Sequence, residues 1–332
     1  MAGPSPTSPP PASPRTTSDG APASIGLFVG LATLDCLYRV AAPPGSNQKI
    51  TALDQEIAAG GPAANAAITF AALGGHATLV TDLGTHPLAR AAADDLIANG
   101  VVVREVEPES VRVPAVSSIY LTAGSGDRSV VSVNATAGSV PPPDWLGQLV
   151  EGADVVLLDG HHPELALAAA RVARQERVPV LLDAGSWKPV FERLLPLVDV
   201  AICSADLRIP AAVGGGIVED NPETIAKDLL CRGPDWVAIS FGGDPARWWT
   251  ATGDPDDARS SGSVPIPAVV VRDTLGAGDV LHGGFALHRA RGAGNLAALR
   301  SAVRYASDRT THLGPAAWRQ ALRALTSDAL ML

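Results

Sequence analysis

The stretch Asp273–Asp279, with the sequence Asp-Thr-Leu-Gly-Ala-Gly-Asp, has residue types and spacing suited to binding an anion. It follows an apolar run, Val264–Val271, and precedes a helical pattern, Val280–Arg291, so we predict a strand, a glycine-rich turn and a helix. Glycines at such a turn let main-chain amides come close to a ligand. The unpaired N–H groups and the dipole of a helix N-terminus then favour an anion such as phosphate.

Asp279 is the unusual member of this stretch, because a carboxylate in the first helical turn would repel a phosphate bound there. The residue makes chemical sense if it removes a proton from the hydroxyl group that attacks the phosphorus. This interpretation predicts phosphoryl transfer to an alcohol. The alternative is that Asp279 only stabilises the helix through its favourable interaction with the N-terminal dipole.

Asp35 ends a nearly continuous apolar run, Ile25–Asp35, of the kind expected for a strand buried on both faces of a sheet. Ligands of open α/β sheets collect at the carboxyl ends of the strands. We therefore expect Asp35 to lie near a substrate and to accept hydrogen bonds from its hydroxyl groups. A structural role, as a turn or capping aspartate, is the alternative.

A second glycine-containing turn, Gly60–Asn65, precedes a run of small residues with helical character. Gly60 and Gly61 would again allow the main chain to approach a ligand closely. Asn65, one turn further on, offers both a donor and an acceptor on the same side. Tight packing of the helix by small residues explains the pattern equally well.

Short apolar strands alternate with helical stretches along most of the chain, which predicts a mainly parallel sheet covered by helices. Two strand-like segments, at about residues 36–58 and 112–134, interrupt this alternation, and the second contains a hairpin signal. Both follow strands of the main sheet, so we expect them to form a small β lid over its ligand-binding edge. Residues 1–23, rich in Pro, Ser, Thr and Ala, are expected to be a disordered tail, and residues 24–332 to be one folded domain.

The composition argues against several other classes of protein. A formal net charge of −9 disfavours broad binding to nucleic acid, and no apolar segment is long enough to span a membrane. The cysteines Cys36, Cys203 and Cys231 lie far apart without metal-ligand spacing, so we expect free thiols and a cytoplasmic location. The chain lacks a P-loop and has no G-x-G-x-x-G after its first strand, which disfavours an NAD-dependent dehydrogenase.

With Gly60–Asn65 and Asp273–Asp279 in this order, the chain resembles the ribokinase-like (PfkB) carbohydrate kinases over about residues 25–325. The resemblance implies an α/β fold, a three-layer αβα sandwich with a mainly parallel sheet and a small β lid. It also implies an enzyme that uses ATP and Mg2+ to phosphorylate an alcohol, usually a hydroxymethyl group of a sugar. Lid strands often pair between subunits in this family, so a homodimer is expected.

The resemblance assigns roles to residues that match the family motifs. Asp279 corresponds to the catalytic base, and Gly276, Ala277 and Gly278 correspond to an anion hole for the transferred phosphoryl group. Such a division of labour is reasonable because positioning and charge stabilisation dominate phosphoryl transfer. The sugar-contacting positions are matched by Asp35, Gly60, Gly61 and Asn65.

The resemblance also implies positions for the cofactors. Asp273 and Leu275 correspond to residues that help to hold a monovalent cation, which suggests activation by K+. The nucleotide-binding positions are matched by Thr274, Ser240, Gly242 and Gly243.

Two segments depart from the family pattern. Asp244 occupies the place of the last glycine in the nucleotide loop. The family's Asn-x-x-Glu motif, tied to magnesium and phosphate, is replaced by Ser204–Leu207, in which Asp206 is the candidate to bind Mg2+ through water. Similar losses occur in ketohexokinase-like and sulfofructose-kinase-like members, and the segment Gly278–Gly283 looks most similar to the second group.

The favoured interpretation is an ATP-dependent kinase of a ketose or modified ketose. A nucleoside kinase is the alternative within the family, and a non-catalytic sugar sensor on the same fold is an alternative from another class. Arg112 and Arg128, in the lid segments, are candidates to bind an anionic group of the substrate, since Arg pairs with phosphate or sulfonate in a forked geometry. The alternative is that both arginines are solvent-exposed surface residues without a ligand.

Other polar residues lie at predicted strand ends. Asp159 and Asp183 close successive core strands, where they either face the nucleotide or cap turns. His161 and His162 follow Asp159, but a zinc site would need further close ligands and the sequence offers none.

Overall fold

The computed structural model describes residues 24–124, 126–135, 140–210, 220–252 and 259–329. The expected tail, residues 1–23, lies outside these ranges. The strands are β1 (Ile25–Val29), β2 (Thr33–Val40), β3 (Asp54–Gly60), β4 (His76–Thr81), β5 (Val101–Glu105), β6 (Val116–Thr122), β7 (Arg128–Ser132), β8 (Val155–Leu158), β9 (Val180–Ala184), β10 (Val200–Ser204), β11 (Trp236–Phe241), β12 (Asp244–Thr250) and β13 (Ser261–Val264). The helices are α1 (Pro62–Ala72), α2 (Pro87–Ala98), α3 (Leu146–Glu151), α4 (Pro163–Glu176), α5 (Phe191–Leu194), α6 (Pro222–Arg232), α7 (Ala277–Ala290), α8 (Asn295–Arg309) and α9 (Gly314–Ala329).

The main sheet has nine strands in the order β13-β12-β11-β10-β9-β8-β1-β4-β5. Neighbouring strands from β11 through to β5 run parallel, and β12 and β13 extend the sheet as antiparallel strands. The prediction of a mainly parallel α/β sheet is therefore confirmed. Because the connecting helices cover the sheet, its central strands are apolar along their whole length rather than in alternation.

Helices cover both faces of the main sheet, which gives the expected three layers. In β1, Phe28 packs into the core that includes residues of α1 and α7, whereas Leu27 and Val29 pack into the opposite core with residues of α4. Within the described residues, no helix combines the length and the apolar character needed to cross a membrane.

A separate four-stranded sheet, in the order β3-β2-β6-β7, forms the small lid. Its outer strands pair antiparallel with their neighbours, and β2 and β6 run parallel. Ile57, Val130 and Val131 of this sheet are exposed, which leaves an apolar surface on the lid.

The run Ile25–Asp35 is predicted as one strand, but the structure divides it into β1 and β2. Asp35 thus lies within the lid sheet and not at the carboxyl end of a core strand. The turn is stabilised by the buried carboxylate of Asp159, whose Oδ2 accepts a hydrogen bond of 2.8 Å from the main-chain N–H of Leu31. A long-range contact of this kind has no signature in the local apolar pattern.

Two further predictions about elements are wrong in detail. The apolar run Val264–Val271 is not a strand beyond Val264. Pro265 and Pro267 remove main-chain donors there, and a strand that lacks those donors cannot continue the ladder. The same alternation of strands and helices predicts a helix over Trp187–Leu197, but the structure has only the short α5 and one 3-10 turn there.

A buried ion pair holds the start of the Asp273–Asp279 motif against α8. Asp273 and Arg309 are almost fully buried, and their side chains approach to 2.7 Å between Oδ2 and Nη2. Asp273 also accepts hydrogen bonds from the main-chain N–H groups of Leu275 and Gly314. The motif is therefore anchored at its first residue by tertiary contacts.

We expect Arg309→Met to lower the free energy of unfolding by about 3–5 kcal/mol, because it leaves the buried Asp273 carboxylate without its counter-charge. Denaturant unfolding measures the change. Lys227→Ala is the matched control, since its ion pair with Glu223 is exposed and we expect its loss to leave the free energy of unfolding nearly unchanged. The double change Arg309→Met with Asp273→Asn should recover part of the loss. Equal effects of Arg309→Met and Lys227→Ala would contradict the anchoring role.

Candidate active site

The two glycine-containing motifs meet where α1 and α7 cross. A Cβ atom on Gly283 would lie 2.4 Å from the main-chain oxygen of Ala66, so only glycine permits this close crossing. The crossing brings Asn65 to Asp279, and Asn65 Nδ2 donates a hydrogen bond of 2.8 Å to Asp279 Oδ2. Two residues separated by 214 positions in the chain thus share one site.

The turn at the N-terminus of α7 has the geometry of an anion-binding site. Gly276 is the N-cap residue and has a left-handed φ of 71°, which glycine adopts without strain. The main-chain N–H of Ala277 donates to the carbonyl of Thr274, at 3.3 Å. The N–H groups of Gly276, Gly278 and Asp279 have no hydrogen-bond partner among the described residues. They are donors available to an anion.

The surroundings of Asp279 raise the pKa of its carboxyl group well above the ordinary aspartate range. Burial is the largest cause, and the negative charge of Asp183 is the second. The hydrogen bond from Asn65 and the charge of Arg128 oppose the rise without cancelling it. Asp279 is thus a carboxylate with increased basicity, a property suited to a general base.

Asp35 lies on the lid, and its negative charge adds to the raised pKa of Asp279. Asp35 is 8% exposed and accepts a hydrogen bond of 2.6 Å from the Thr33 hydroxyl. Burial raises the pKa of its carboxyl group, while hydrogen bonds from Thr33 and Ser117 lower it. Gly60 packs directly on this carboxylate, since a Cβ atom there would lie 1.9 Å from Asp35 Oδ2. Gly61 follows as the N-cap residue of α1.

Arg128, at the start of β7, connects the lid to the anion-binding turn. Its Nη1 donates to the carbonyl and the hydroxyl oxygen of Thr274, at 2.9 and 3.0 Å. The contact explains why Arg128 influences the pKa of Asp279. Arg112, the other lid arginine considered above, forms ion pairs of 2.8 Å with Asp82 and Glu107. Because Arg112 already pairs with these two carboxylates, it is a poor candidate to bind an anionic group of the substrate.

Three of the four candidate nucleotide residues, Ser240, Gly242 and Gly243, lie at the end of β11 and in the turn after it, whereas Thr274 precedes the α7 turn. The Ser240 hydroxyl donates to the carbonyl of Cys203, at 3.3 Å. Gly242 and Gly243 form the β11–β12 turn, and a Cβ atom at either would meet open space. Asp206 is exposed, and its main-chain N–H donates to the Ser204 hydroxyl.

The positions considered for metal binding differ in how well they suit a cation. Both carboxylate oxygens of Asp273 already accept hydrogen bonds, and Arg309 neutralises its charge. Leu275 packs against the apolar cluster of Leu37 on the lid. Among the residues that the structure describes, no three His, Cys, Asp or Glu side chains are grouped as a metal site.

Two residues of the site were not assigned a definite role from the sequence. Asp159, fully buried, accepts hydrogen bonds from the main-chain N–H groups of Leu31, Ala63 and His161, so it caps turns beside the cleft. His282 lies one turn after Asp279 and contacts two main-chain carbonyls and Asp183. The sequence shows that His282 is three residues after Asp279, but it does not show which groups the imidazole ring contacts.

Two cavities share Asn134 and Ala135 in their linings, and neither is lined by Asp35, Asn65 or Asp279. A cavity of about 570 Å³ is lined by Gly160, His161 and Lys188 among others. A much smaller one is lined by His162, whose ring nitrogens are buried without a partner within the described residues. Burial lowers the pKa of both histidines, so they are neutral groups that can bond to hydroxyls.

Comparison with known proteins agrees with this geometry. Residues 27–320 match the model of the pfkB family carbohydrate kinases. A ribokinase of Bacillus subtilis is 26% identical over 284 residues, which cover 84% of this chain and 90% of that protein. A 1-phosphofructokinase of Haloferax volcanii is 29% identical over 266 residues, covering 76% of this chain and 80% of that protein.

Structural comparison gives the same fold. The Arabidopsis thaliana ribokinase, solved in complex with ribose and ATP, superposes with a TM-score of 0.72 at 23% identity, over 92% of this chain and 98% of that one. These relatives support the family but not the narrower likeness to sulfofructose kinases or ketohexokinases. From the match over most of its length, the chain belongs to the PfkB family of carbohydrate kinases, which makes it a phosphotransferase with an alcohol acceptor.

Proposed function

We propose that this protein transfers the γ-phosphoryl group of ATP to a hydroxyl group of a sugar, with Asp279 as the base. The observation that carries the proposal is the position of Asp279 beside available main-chain donors. Its carboxylate is held by Asn65 on one oxygen, and the unpaired N–H groups of Gly276 and Gly278 lie in the same helical turn. A proton acceptor and an anion site side by side are what phosphoryl transfer to an alcohol requires.

The chemistry follows from these contacts. Asn65 occupies Oδ2 of Asp279, so Oδ1 would accept the proton of the sugar hydroxyl as its oxygen bonds to the γ-phosphorus. The bond between that phosphorus and the bridging oxygen breaks, and ADP leaves. The main-chain donors of the α7 turn would stabilise the charge of the transferring group. Closure of the lid, with Arg128 bonded to Thr274, would exclude water, which otherwise competes as an acceptor.

Mg2+, when bound, would neutralise phosphate charge, and it would be held largely by ATP itself because it retains water and phosphate ligands. Asp206 is our candidate to contact it through water. Asp273 and Leu275 are poorly suited to bind K+ through their side chains, because Arg309 already neutralises the charge of Asp273. Any monovalent cation near Asp273 and Leu275 would therefore depend on main-chain carbonyl oxygens.

The acceptor we favour is a ketose or modified ketose bound between Asp35 and the Gly60–Asn65 turn. Support comes from the buried carboxylate of Asp35, which can accept hydrogen bonds from hydroxyl groups. A nucleoside is the second candidate, because kinases related to this family phosphorylate ribosides with the same constellation of residues. A non-catalytic sugar sensor is disfavoured by the raised pKa of Asp279 and the available donors next to it. A panel of ketoses, aldoses and nucleosides with ATP distinguishes these candidates.

We further propose a homodimer formed through the lid, supported by the exposed Ile57, Val130 and Val131. A cytoplasmic location is proposed from the three free cysteines, Cys36, Cys203 and Cys231. Light scattering of the purified protein tests the dimer.

Asp279→Asn should reduce kcat by about 10²–10⁴-fold, the usual contribution of a general base, while leaving the fold intact. Coupled detection of ADP with the best sugar of the panel measures the loss, and circular dichroism checks the fold. Asp94→Asn, an exposed aspartate on α2, is the matched control and should retain full activity. Turnover of Asp279→Asn at the wild-type rate would remove the proposed base.

The raised pKa of Asp279 predicts two effects of pH. The acidic limb of kcat/KM should lie at higher pH than an ordinary aspartate would give, because the base must be ionised to act. Folding should favour protonated Asp279, so the wild type should lose stability as pH rises through that raised pKa. Asp279→Asn should therefore be more stable than wild type at alkaline pH and similar to it at acid pH. An acidic limb at the ordinary aspartate pKa, with no stabilisation by Asn, would contradict this account.

Arg128→Ala should raise KM for the sugar by about tenfold, the loss expected for one charged hydrogen bond between the lid and Thr274. Steady-state kinetics of Arg128→Ala on a neutral and an anionic sugar distinguish two roles. Loss of the lid contact should raise KM equally for both sugars, whereas loss of a direct contact with a substrate anion should raise KM more for the anionic sugar. Arg90→Ala, on the exposed surface of α2, is the control. An unchanged KM for both sugars would exclude either role.

A further inference from the structure

His282 lies one helical turn after Asp279 with both ring nitrogens facing oxygen atoms. Nδ1 is 2.7 Å from the main-chain oxygen of Gly278, and Nε2 is 3.2 Å from that of Ile202 on β10. A carbonyl oxygen can only accept, so each nitrogen must carry a proton for both hydrogen bonds to form. A neutral imidazole would leave one lone pair pointing at an oxygen.

The surroundings can support a charged ring. Asp183 Oδ2 on β9 is 3.6 Å from Nδ1, and the two side chains are only 7% and 8% exposed. A buried charge persists where it is paired and hydrogen-bonded. Among the described residues, two further ionisable groups are next in sequence to its partners: Asp279 beside Gly278, and the Cys203 thiol beside Ile202 on β10. Burial raises the pKa of that thiol, and the charge of Asp183 adds to the rise, so the thiol stays uncharged.

We infer that His282 is a buried imidazolium that positions the candidate anion-binding turn. Its bond to the Gly278 carbonyl fixes the peptide that joins Gly278 to Asp279, while its bond to Ile202 ties the first turn of α7 to the strand beside the nucleotide residues. Its charge offsets that of Asp183, which would otherwise oppose a phosphate at the turn. The catalytic consequence rests on the proposed function, but the ionisation state of the ring does not.

Nitrogen-15 NMR of the full-length protein labelled at histidine tests the ionisation directly. Comparison with His282→Gln assigns the His282 signals among the seven histidines. We expect both ring nitrogens to be protonated near neutral pH, without substrate. A neutral tautomer under these conditions overturns the inference, whatever the protein's activity.

Kinetics test the positioning role. His282→Leu, which loses both hydrogen bonds and the charge, should lower kcat at least tenfold while KM for the sugar changes less than twofold. His282→Gln keeps one donor and should recover part of kcat, and it remains informative if the Leu variant does not fold. His288→Gln is the control, since His288 lies on the same helix and bonds to the Tyr305 hydroxyl. Wild-type kcat in both His282 variants overturns the inference. Absence of any sugar phosphorylation by the wild type would instead contradict the proposed function and leave the NMR result standing.

Discussion

The close crossing of α1 and α7 is the contact on which the candidate site depends. Gly283 packs under the Ala66 carbonyl, and this approach puts Asn65 within hydrogen-bonding distance of Asp279. A larger residue at position 283 would separate the helices and with them the two motifs. The small residues of both helices are therefore a condition for the chemistry as well as for packing.

The site brings negative groups from several elements into one poorly solvated region. Burial raises the pKa of Asp279, and the negative charges of Asp183 on β9 and Asp35 on the lid add to the rise. The positive contributions come from different elements: Arg128 from the lid, and His282, as we infer, from α7. A site that must first bind a highly charged nucleotide and then accept a proton needs such a balance, because an unopposed negative cluster would exclude the phosphate.

Much of this arrangement was accessible from the sequence because its signals are local. The turn at Asp273–Asp279, the helix that follows it and the alternation of strands and helices all depend on neighbouring residues. The strand assignment of Asp35 was wrong because the turn before it depends on Asp159, more than a hundred residues away. The pairing of Asp273 with Arg309 and the contacts of His282 are likewise tertiary. No periodicity or motif in the sequence predicts these contacts, because they form only when distant elements pack together.

The central claim is that Asp279 accepts the proton of the attacking sugar hydroxyl. It is tested most directly by a crystal structure of the protein with the best acceptor sugar and a non-hydrolysable ATP analogue. We expect one sugar hydroxyl within about 3 Å of the free carboxylate oxygen of Asp279 and aligned with the γ-phosphorus, with the phosphate against the α7 turn. A sugar whose nearest hydroxyl is bonded elsewhere, or a γ-phosphate remote from Gly276 and Gly278, would contradict it.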